Sequence, residues 1–161
     1  MKTQYLMIAA LGTLLAVLGQ ANAGEKELSK DQVPKAVIDA FENSYPNAKE
    51  LKFEKEMFEG KAAYEVELKE NGKEYESMYS ADGTLLQKEE DIDGEFLPER
   101  VAQAIKKEYP NAKIKEVEKI MKPDNTVTGY EVEIIAPGKE AELELDVNPK
   151  SVLLNAKFDV R

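Results

Sequence analysis

Carboxylates are the reactive side chains that this chain carries in quantity. Its 161 residues include 32 Asp and Glu against 22 Lys and Arg, and they include no His, Cys or Trp. Without His and Cys, the chain can form neither a Ser–His pair nor a Cys nucleophile, and it lacks the imidazole and thiolate ligands of zinc sites. The catalytic chemistry that remains is acid–base work by two carboxyl groups, as in glycosidases.

A carboxyl pair becomes catalytic only when an apolar pocket raises the pKa of one partner. With 32 acidic residues, close carboxylates are expected by chance, and a small sheet protein offers few deep pockets. We therefore predict that the protein is not an enzyme, and we assign it no catalytic residue and no cofactor. A carboxylate-based hydrolase is the alternative in the enzyme class.

The segment "EEDIDGE" has carboxylates spaced as in part of a calcium-binding EF-hand loop. Asp91, Asp93 and Gly94 match its third, fifth and sixth positions, but the twelfth position, which needs a bidentate Glu, is Arg100. We predict no metal site, and we interpret residues 88–95 as a flexible acidic linker. An acidic calcium-binding protein of the cell envelope is the alternative function.

The amino-terminal segment has the features of a secretory signal peptide. Lys2 supplies a positive charge, an apolar run extends from Leu6 to Leu18, and the sequence Ala-Asn-Ala then fits a cleavage site that ends at Ala23. The apolar run is shorter than the 18 or more residues typical of a spanning helix. We predict a signal peptide at residues 1–23 and a periplasmic or secreted protein that is free of the membrane after cleavage.

The net charge of the chain is −10 at pH 7. An acidic protein repels nucleic acid and anionic lipid surfaces, so neither is an expected partner. A protein with a cationic surface or a basic peptide is the expected partner instead. The alternative is that the charge serves only solubility. The oligomeric state is left open.

The sequence contains an internal repeat. The string "VPKAVIDAFENSYPNAK" begins at Val33 and aligns without a gap on "LPERVAQAIKKEYPNAK", which begins at Leu97. Further along, "YEVEL" at Tyr64 matches "YEVEI" at Tyr130. Two copies of one structural unit therefore make up most of the chain.

We predict that the first copy, called the first module, spans residues 24–92. The second copy, called the second module, spans residues 93–161. Each starts with a helix, because apolar residues recur at intervals of three and four, as at Val37, Phe41 and Tyr45. In "YPNAK" the Pro disfavours helical geometry in the Tyr before it, and the Asn is expected to take a left-handed conformation. The motif is predicted to stop the helix and to turn the chain into a strand.

The rest of each module alternates with a period of two, which is typical of strands with one buried and one wet face. Hairpin signals such as Asn71-Gly72 and Asp82-Gly83 separate the strands. We predict an α+β fold in which each module is one helix packed on a four-stranded antiparallel meander. The two meanders are expected to form one curved sheet with the helices on one face.

The helix entry, "YPNAK" and then "YEVEL", "NGKEYE" and "ADGT" resemble the PepSY-like domains of exported bacterial proteins, which are related in fold to the beta-lactamase inhibitory protein. In the second copy "ADGT" is replaced by "VNPK". The resemblance implies tandem modules with the helices behind the sheet and the front open to a partner. It also implies secretion and a role in binding or inhibiting proteins, with no established catalytic residues.

The wet face is where such a module would meet a partner. We predict an exported, non-catalytic binding module, an inhibitor or modulator of envelope or secreted proteins, that uses this acidic face. A surface that only keeps the sheet soluble is the alternative. The ten residues that we assign to partner binding are Glu65, Glu67, Lys69, Glu76, Met78, Glu131, Glu133, Ile135, Glu142 and Glu144.

Overall fold

The structure, a computed structural model, describes residues 26–137, 139–148 and 151–158. The predicted signal peptide, residues 1–23, lies outside these residues. Within them, no helix combines the length and the apolar character that a membrane crossing requires.

Two helices of ten residues are related by the repeat, α1 (Lys35–Ser44) and α2 (Glu99–Glu108). A short 3-10 turn precedes each of them, at Lys30–Gln32 and at Gly94–Phe96. Each α-helix starts directly after a proline, which lacks the N–H that the first turn would leave unpaired.

Both helices end at the tyrosine of "YPNAK". The backbone N–H of Tyr45 donates to the Phe41 carbonyl at 2.9 Å, and that of Tyr109 donates to the Ile105 carbonyl at 2.7 Å. The predicted helix stop is therefore confirmed. The left-handed role predicted for the Asn is wrong, because in the first copy the nearest residue with positive φ is Glu50, at 57°.

The strands form one antiparallel sheet in which every strand pairs with its neighbours in the sequence. The nine strands are β1 (Lys26–Glu27), β2 (Leu51–Phe58), β3 (Lys61–Glu70), β4 (Lys73–Ser80), β5 (Leu85–Asp91), β6 (Lys113–Met121), β7 (Val127–Ala136), β8 (Lys139–Val147) and β9 (Val152–Phe158).

The α+β class and the tandem arrangement are confirmed, but two details of the predicted architecture differ. The short strand β1 adds a ninth strand to the two predicted meanders. The residues interpreted as a flexible linker are instead structured, since Lys88 to Asp91 end β5 and pair with β6 from Met121 to Glu118. This pairing occupies backbone groups that would otherwise form an exposed sheet edge.

Each helix covers its own core, and both cores lie on the same face of the sheet. Leu68 of the first core is on a register row that continues through Tyr75, Glu90 and Lys119 to Tyr130 of the second core. Side chains that share a row point to the same side of a sheet. We call this side the helix face and the other side the open face.

The fully buried side chains of both cores belong to the helices and to the helix face. In the first core, Val37 and Phe41 of α1 pack on Val66, and the rings of Phe41 and Tyr45 stack with their centroids 4.9 Å apart. In the second core, residues of α2 pack on side chains of β7 and β8. The helices thus fix the orientation of every strand and assign the alternate side chains to the open face.

We expect Gly83→Ala to destabilise the protein more than Gly72→Ala. Both glycines have left-handed backbones, with φ of +84° and +80°, but a Cβ at Gly83 would lie 2.5 Å from the Ala36 carbonyl oxygen of α1, whereas Gly72 has open space. The backbone strain alone should cost about 1 kcal/mol, and the contact with α1 should raise the loss at Gly83 to about 3 kcal/mol. Urea denaturation of both variants measures the difference, and equal losses would contradict the close contact between this turn and α1.

Candidate functional site

The open face carries acidic side chains next to one another on neighbouring strands. One register row places Glu67 of β3 beside Glu76 of β4, which lies beside Glu89 of β5. The next row places Asp91 of β5 beside Glu118 of β6, followed by Glu131 of β7 and Glu144 of β8. Like charges directly opposite each other destabilise a sheet, so this arrangement opposes folding.

Five of these carboxyls, those of Glu67, Glu76, Glu89, Glu131 and Glu144, line a pocket on the open face with a volume of about 640 Å³. Because the sheet is curved, Met57 and Phe58 of β2 line the same pocket as Asp146 of β8. Among the described residues, eleven carboxyl side chains and no cationic ones line it. We call it the acidic pocket, and its acidic residues are Glu54, Glu56, Glu59, Glu65, Glu67, Glu76, Glu89, Glu131, Glu142, Glu144 and Asp146.

The pocket also has an apolar part that sequence patterns did not fully reveal. Met78 and Ile120 contribute buried side chains, each 6% exposed, although both lie on the open face. Phe58, also on the open face, is partly buried on the same lining, whereas Met57 has the register of the helix face. The pocket therefore offers carboxyls and apolar surface together.

The ten residues assigned to partner binding all have the register of the open face, but the structure brings only part of them together. Three of them lie away from the acidic pocket: Lys69, Glu133 and Ile135. Lys69 makes an ion pair of 2.5 Å with Glu74, and Ile135 is 43% exposed where β7 pairs with Glu140 of β8. The seven residues that line the pocket are Glu65, Glu67, Glu76, Met78, Glu131, Glu142 and Glu144.

None of these seven residues is fully exposed, although the alternation predicts a wet face. Met78 is buried, and the six glutamates are only partly exposed. The reason is the curvature of the sheet, since a concave face shields its central side chains, whereas a flat face would leave them in water. An alternating sequence pattern carries no information about this curvature.

Several pocket residues were missed by sequence reasoning. Glu89 was assigned to the linker, because the all-polar segment "QKEED" has no apolar alternation that would mark it as a strand. Glu54 and Glu56 of β2 and Ile120 of β6 alternate with buried residues, and this pattern could have identified them.

Burial and mutual repulsion change the protonation of the central carboxyls. Burial raises the pKa of Glu65 to about 10, with neighbouring carboxylates, first Glu76, adding to the effect. Burial likewise raises the pKa of Glu76 to about 8 and that of Glu118 to about 9, again with help from nearby carboxylates. These raised pKa values favour the protonated, neutral form of the three groups near pH 7.

Cations of the open face lie at the edges of the carboxyl cluster. Lys52 forms an ion pair of 2.6 Å with Glu67, and Lys115 forms an ion pair of 2.7 Å with Glu133. Each lysine is about half exposed, with 59% and 47% of its side chain accessible. The pKa of Lys52 is raised by its hydrogen bond to Glu67, as expected for a cation beside an acidic surface.

Two groups of three carboxyls on this face have oxygen atoms within 4.8 Å of one another. One group is Glu76, Glu89 and Glu118, and the other includes Asp91 with Glu74 and Glu116. Asp91 accepts a hydrogen bond from the Glu74 backbone N–H at 2.8 Å through Oδ2, while its buried Oδ1 has no hydrogen-bond partner. Protons or a bound cation relieve such repulsion.

Comparison with known families identifies the repeat. Residues 20–87 and residues 87–155 each match the family described as "Putative beta-lactamase-inhibitor-like, PepSY-like". The chain belongs to this PepSY-like family. Its two PepSY-like copies follow one another along the single sheet, so both copies contribute to the acidic pocket.

Solved structures share this tandem PepSY-like fold. A BLIP-like protein from Bacteroides fragilis is 23% identical, with a TM-score of 0.53 over 80% of this chain and 88% of that one. A "putative periplasmic" protein from Bacteroides eggerthii is 19% identical, with a TM-score of 0.59 over 78% and 88%. A DUF2874 family protein from Bacteroides ovatus is 18% identical, with a TM-score of 0.56 over 80% and 89%. Comparison with curated protein sequences gave no significant match.

Proposed function

We propose that this protein is an exported, non-catalytic binding module that inhibits or modulates a protein of the cell envelope or the surrounding medium. It acts through the open face, and its partner presents a cationic surface. The observation that carries this proposal is the acidic pocket, to which both modules contribute and whose charged lining, within the described residues, is entirely acidic.

The arrangement of the carboxyls supports a binding role better than a solubility role. Solubility needs charges that are dispersed on the surface, and dispersed charges repel one another weakly. Here the acidic side chains lie opposite each other on adjacent strands, and three of them have strongly raised pKa values. A face that opposes folding in this way is best explained by a partner that neutralises it.

Location and the absence of catalysis are supported by independent features. The sequence starts with the pattern of a signal peptide, and one protein of similar fold is described as periplasmic. The family description names inhibitor-like proteins, and a protein of similar fold is described as BLIP-like. These two descriptions support the proposal that this protein acts by binding another protein.

We expect neutralisation of four pocket carboxyls to weaken capture of the partner and to slow its association about tenfold at low salt, since clustered charge steers encounters. The variant carries Glu131→Gln, Glu142→Gln, Glu144→Gln and Asp146→Asn, all on β7 and β8. The control removes the same charge from exposed positions outside the pocket, with Asp31→Asn, Glu95→Gln, Glu99→Gln and Glu108→Gln.

The measurement has two stages. Exported proteins are first passed over immobilised wild-type protein, pocket variant and control variant, and the retained proteins are quantified. Association rates of any retained protein are then measured by surface plasmon resonance at two salt concentrations. If the pocket variant and the control retain the same proteins with the same rates, the partner binds elsewhere and the proposal is wrong.

A further inference from the structure

The acidic pocket combines two surfaces that a purely electrostatic site would not need. Glu67, Glu76 and Glu89 form a carboxyl row across three strands. Phe58, at the end of β2, has the register of the open face, lines the same pocket and remains accessible. With a volume of about 640 Å³, the pocket is within the usual range of ligand sites, and it can hold a few side chains but no folded domain.

We propose that the acidic pocket binds an extended peptide segment of the partner in which a Lys or Arg is adjacent to a large apolar residue, and that binding releases protons from the pocket. This inference rests on the proposed function and specifies the part of the partner that is recognised. The cationic group lies against the row of Glu67, Glu76 and Glu89. The apolar side chain contacts Phe58.

The apolar requirement follows from where hydrophobic surface is exposed in the pocket. Met78 and Ile120 are already buried, so they form the floor and have little surface left to lose. Phe58, which has the register of the open face and is only partly buried, has surface to bury when a partner binds. A Lys or Arg side chain can also lay its aliphatic stem on such surface while its charge reaches a carboxylate.

The release of protons follows from the crowding around Glu76. Among the described residues, the groups that raise its pKa or share its cluster are carboxyls: Glu67 and Glu74 beside it, Glu56 on β2, Glu65 on β3, Glu89 on β5 and Glu118 on β6. Three lysines of the described residues lie near this cluster, and each has another partner: Lys52 donates to Glu67, Lys119 to Glu90 and Lys88 to Asn125. A cationic ligand favours the ionised form of Glu76, so a group that is protonated in the free protein loses its proton on binding.

The test uses three blocked synthetic peptides and the mature chain. One peptide alternates Lys and Leu, one alternates Lys and Ser, and one alternates Gln and Leu. We expect the Lys-Leu peptide to bind at least tenfold more tightly than either of the others. Spermidine and Ca²⁺ are titrated as well, and binding of either with the affinity of the Lys-Leu peptide would overturn the proposal.

Isothermal titration calorimetry in two buffers of different ionisation enthalpy gives the number of protons released. Linkage predicts that affinity rises by about tenfold per pH unit for each proton released. We expect tighter binding of the Lys-Leu peptide at about pH 8 than at about pH 6. Affinity that does not change with pH, together with identical heats in the two buffers, would overturn the proton release.

Two variants separate the two surfaces without unfolding the protein. Glu76→Gln keeps the neutral form of the side chain, so the fold should persist while proton release decreases and Lys-Leu binding weakens. Phe58→Ser changes a partly exposed position at the end of β2 and should weaken binding of the Lys-Leu peptide but not of the Lys-Ser peptide. Glu95→Gln, at an exposed position outside the pocket, is the control and should change neither.

The outcomes distinguish this inference from the proposed function. If the Lys-Leu peptide does not bind but a natural partner is still lost from the four-carboxyl pocket variant, the inference is wrong and the proposed function stands. If neither the peptide nor any exported protein depends on the pocket, both are wrong.

Discussion

Residues 24–92, produced without the second module, are expected to melt roughly 15 °C below the mature chain or to lose a cooperative transition altogether. A domain of about 60 residues buries only about 60% of its unfolded surface and is marginally stable alone. The first core is built from few buried side chains around Val37, Phe41 and Val66. The size of the core therefore leaves little stability to lose.

Removal of the second module also removes the partner strand of β5. The pairs between β5 and β6 run from Lys88 with Met121 to Asp91 with Glu118, and Glu90 forms an ion pair of 3.1 Å with Lys119. Beyond the strand, the Ile92 N–H donates to the Val117 carbonyl at 2.9 Å. Without β6, these backbone groups become an open sheet edge.

Differential scanning calorimetry of residues 24–92, residues 93–161 and residues 24–161 measures directly how the stability of each module depends on the other. A mixture of the two fragments is the control, because β5 and β6 can then pair between separate chains and recover part of the lost stability. Melting temperatures that are the same for the fragments and the mature chain would show two independent domains and contradict the prediction.

The mature chain is expected to be less stable at about pH 9 than at about pH 6, by several kcal/mol. The native-state pKa values of Glu65, Glu76 and Glu118 are about 10, 8 and 9, above the ordinary Glu value of 4.5. Between pH 4.5 and the native-state pKa values, the native state holds protons that the unfolded state has lost, so the free energy of unfolding falls as the pH rises. The stability that these three carboxyl groups contribute is fully present below about pH 4.5 and is lost as the pH rises through their native-state pKa values of 8 to 10.

Urea denaturation at about pH 6, 7.5 and 9 measures this slope. Glu65→Gln keeps a neutral side chain at every pH, so it should flatten the slope and raise stability at pH 9 by about 2 kcal/mol. Glu95→Gln, at an exposed position outside the pocket, should leave the slope unchanged. Stability that increases with pH over this range in the wild-type protein would contradict the raised pKa values.

Much of the fold could be predicted from local patterns. The proline entries and "YPNAK" stops correspond to the ends of α1 and α2, because both signals act through the backbone geometry of adjacent residues. The hairpin signals Asn71-Gly72 and Asp82-Gly83 lie between β3 and β4 and between β4 and β5, as predicted. The strand β1 was missed because two exposed residues carry no alternation to detect.

For the candidate site, the sequence could predict only which side of the sheet carries the residues, and not which of them come together in a pocket. A period of two determines which side chains share a side of the sheet, and on that basis Glu65, Glu76 and Glu131 were assigned together. The same reasoning placed Glu89 in a linker, since an acidic segment between two repeats resembles a connection until its pairing with β6 is known. Strand pairing between modules depends on residues far apart in the sequence.

By itself, the sequence determined the repeat, the α+β class, the acidic character and the exclusion of His- and Cys-based chemistry, because all of these follow from composition and from residues close together in the chain. Only the tertiary structure decided that Phe58 and Asp146 line one pocket, that Met78 is buried on the open face, and that burial raises the pKa of Glu65. These properties arise from sheet curvature and from the removal of water, which depend on the packing of the whole sheet against its two helices and on which distant strands come together.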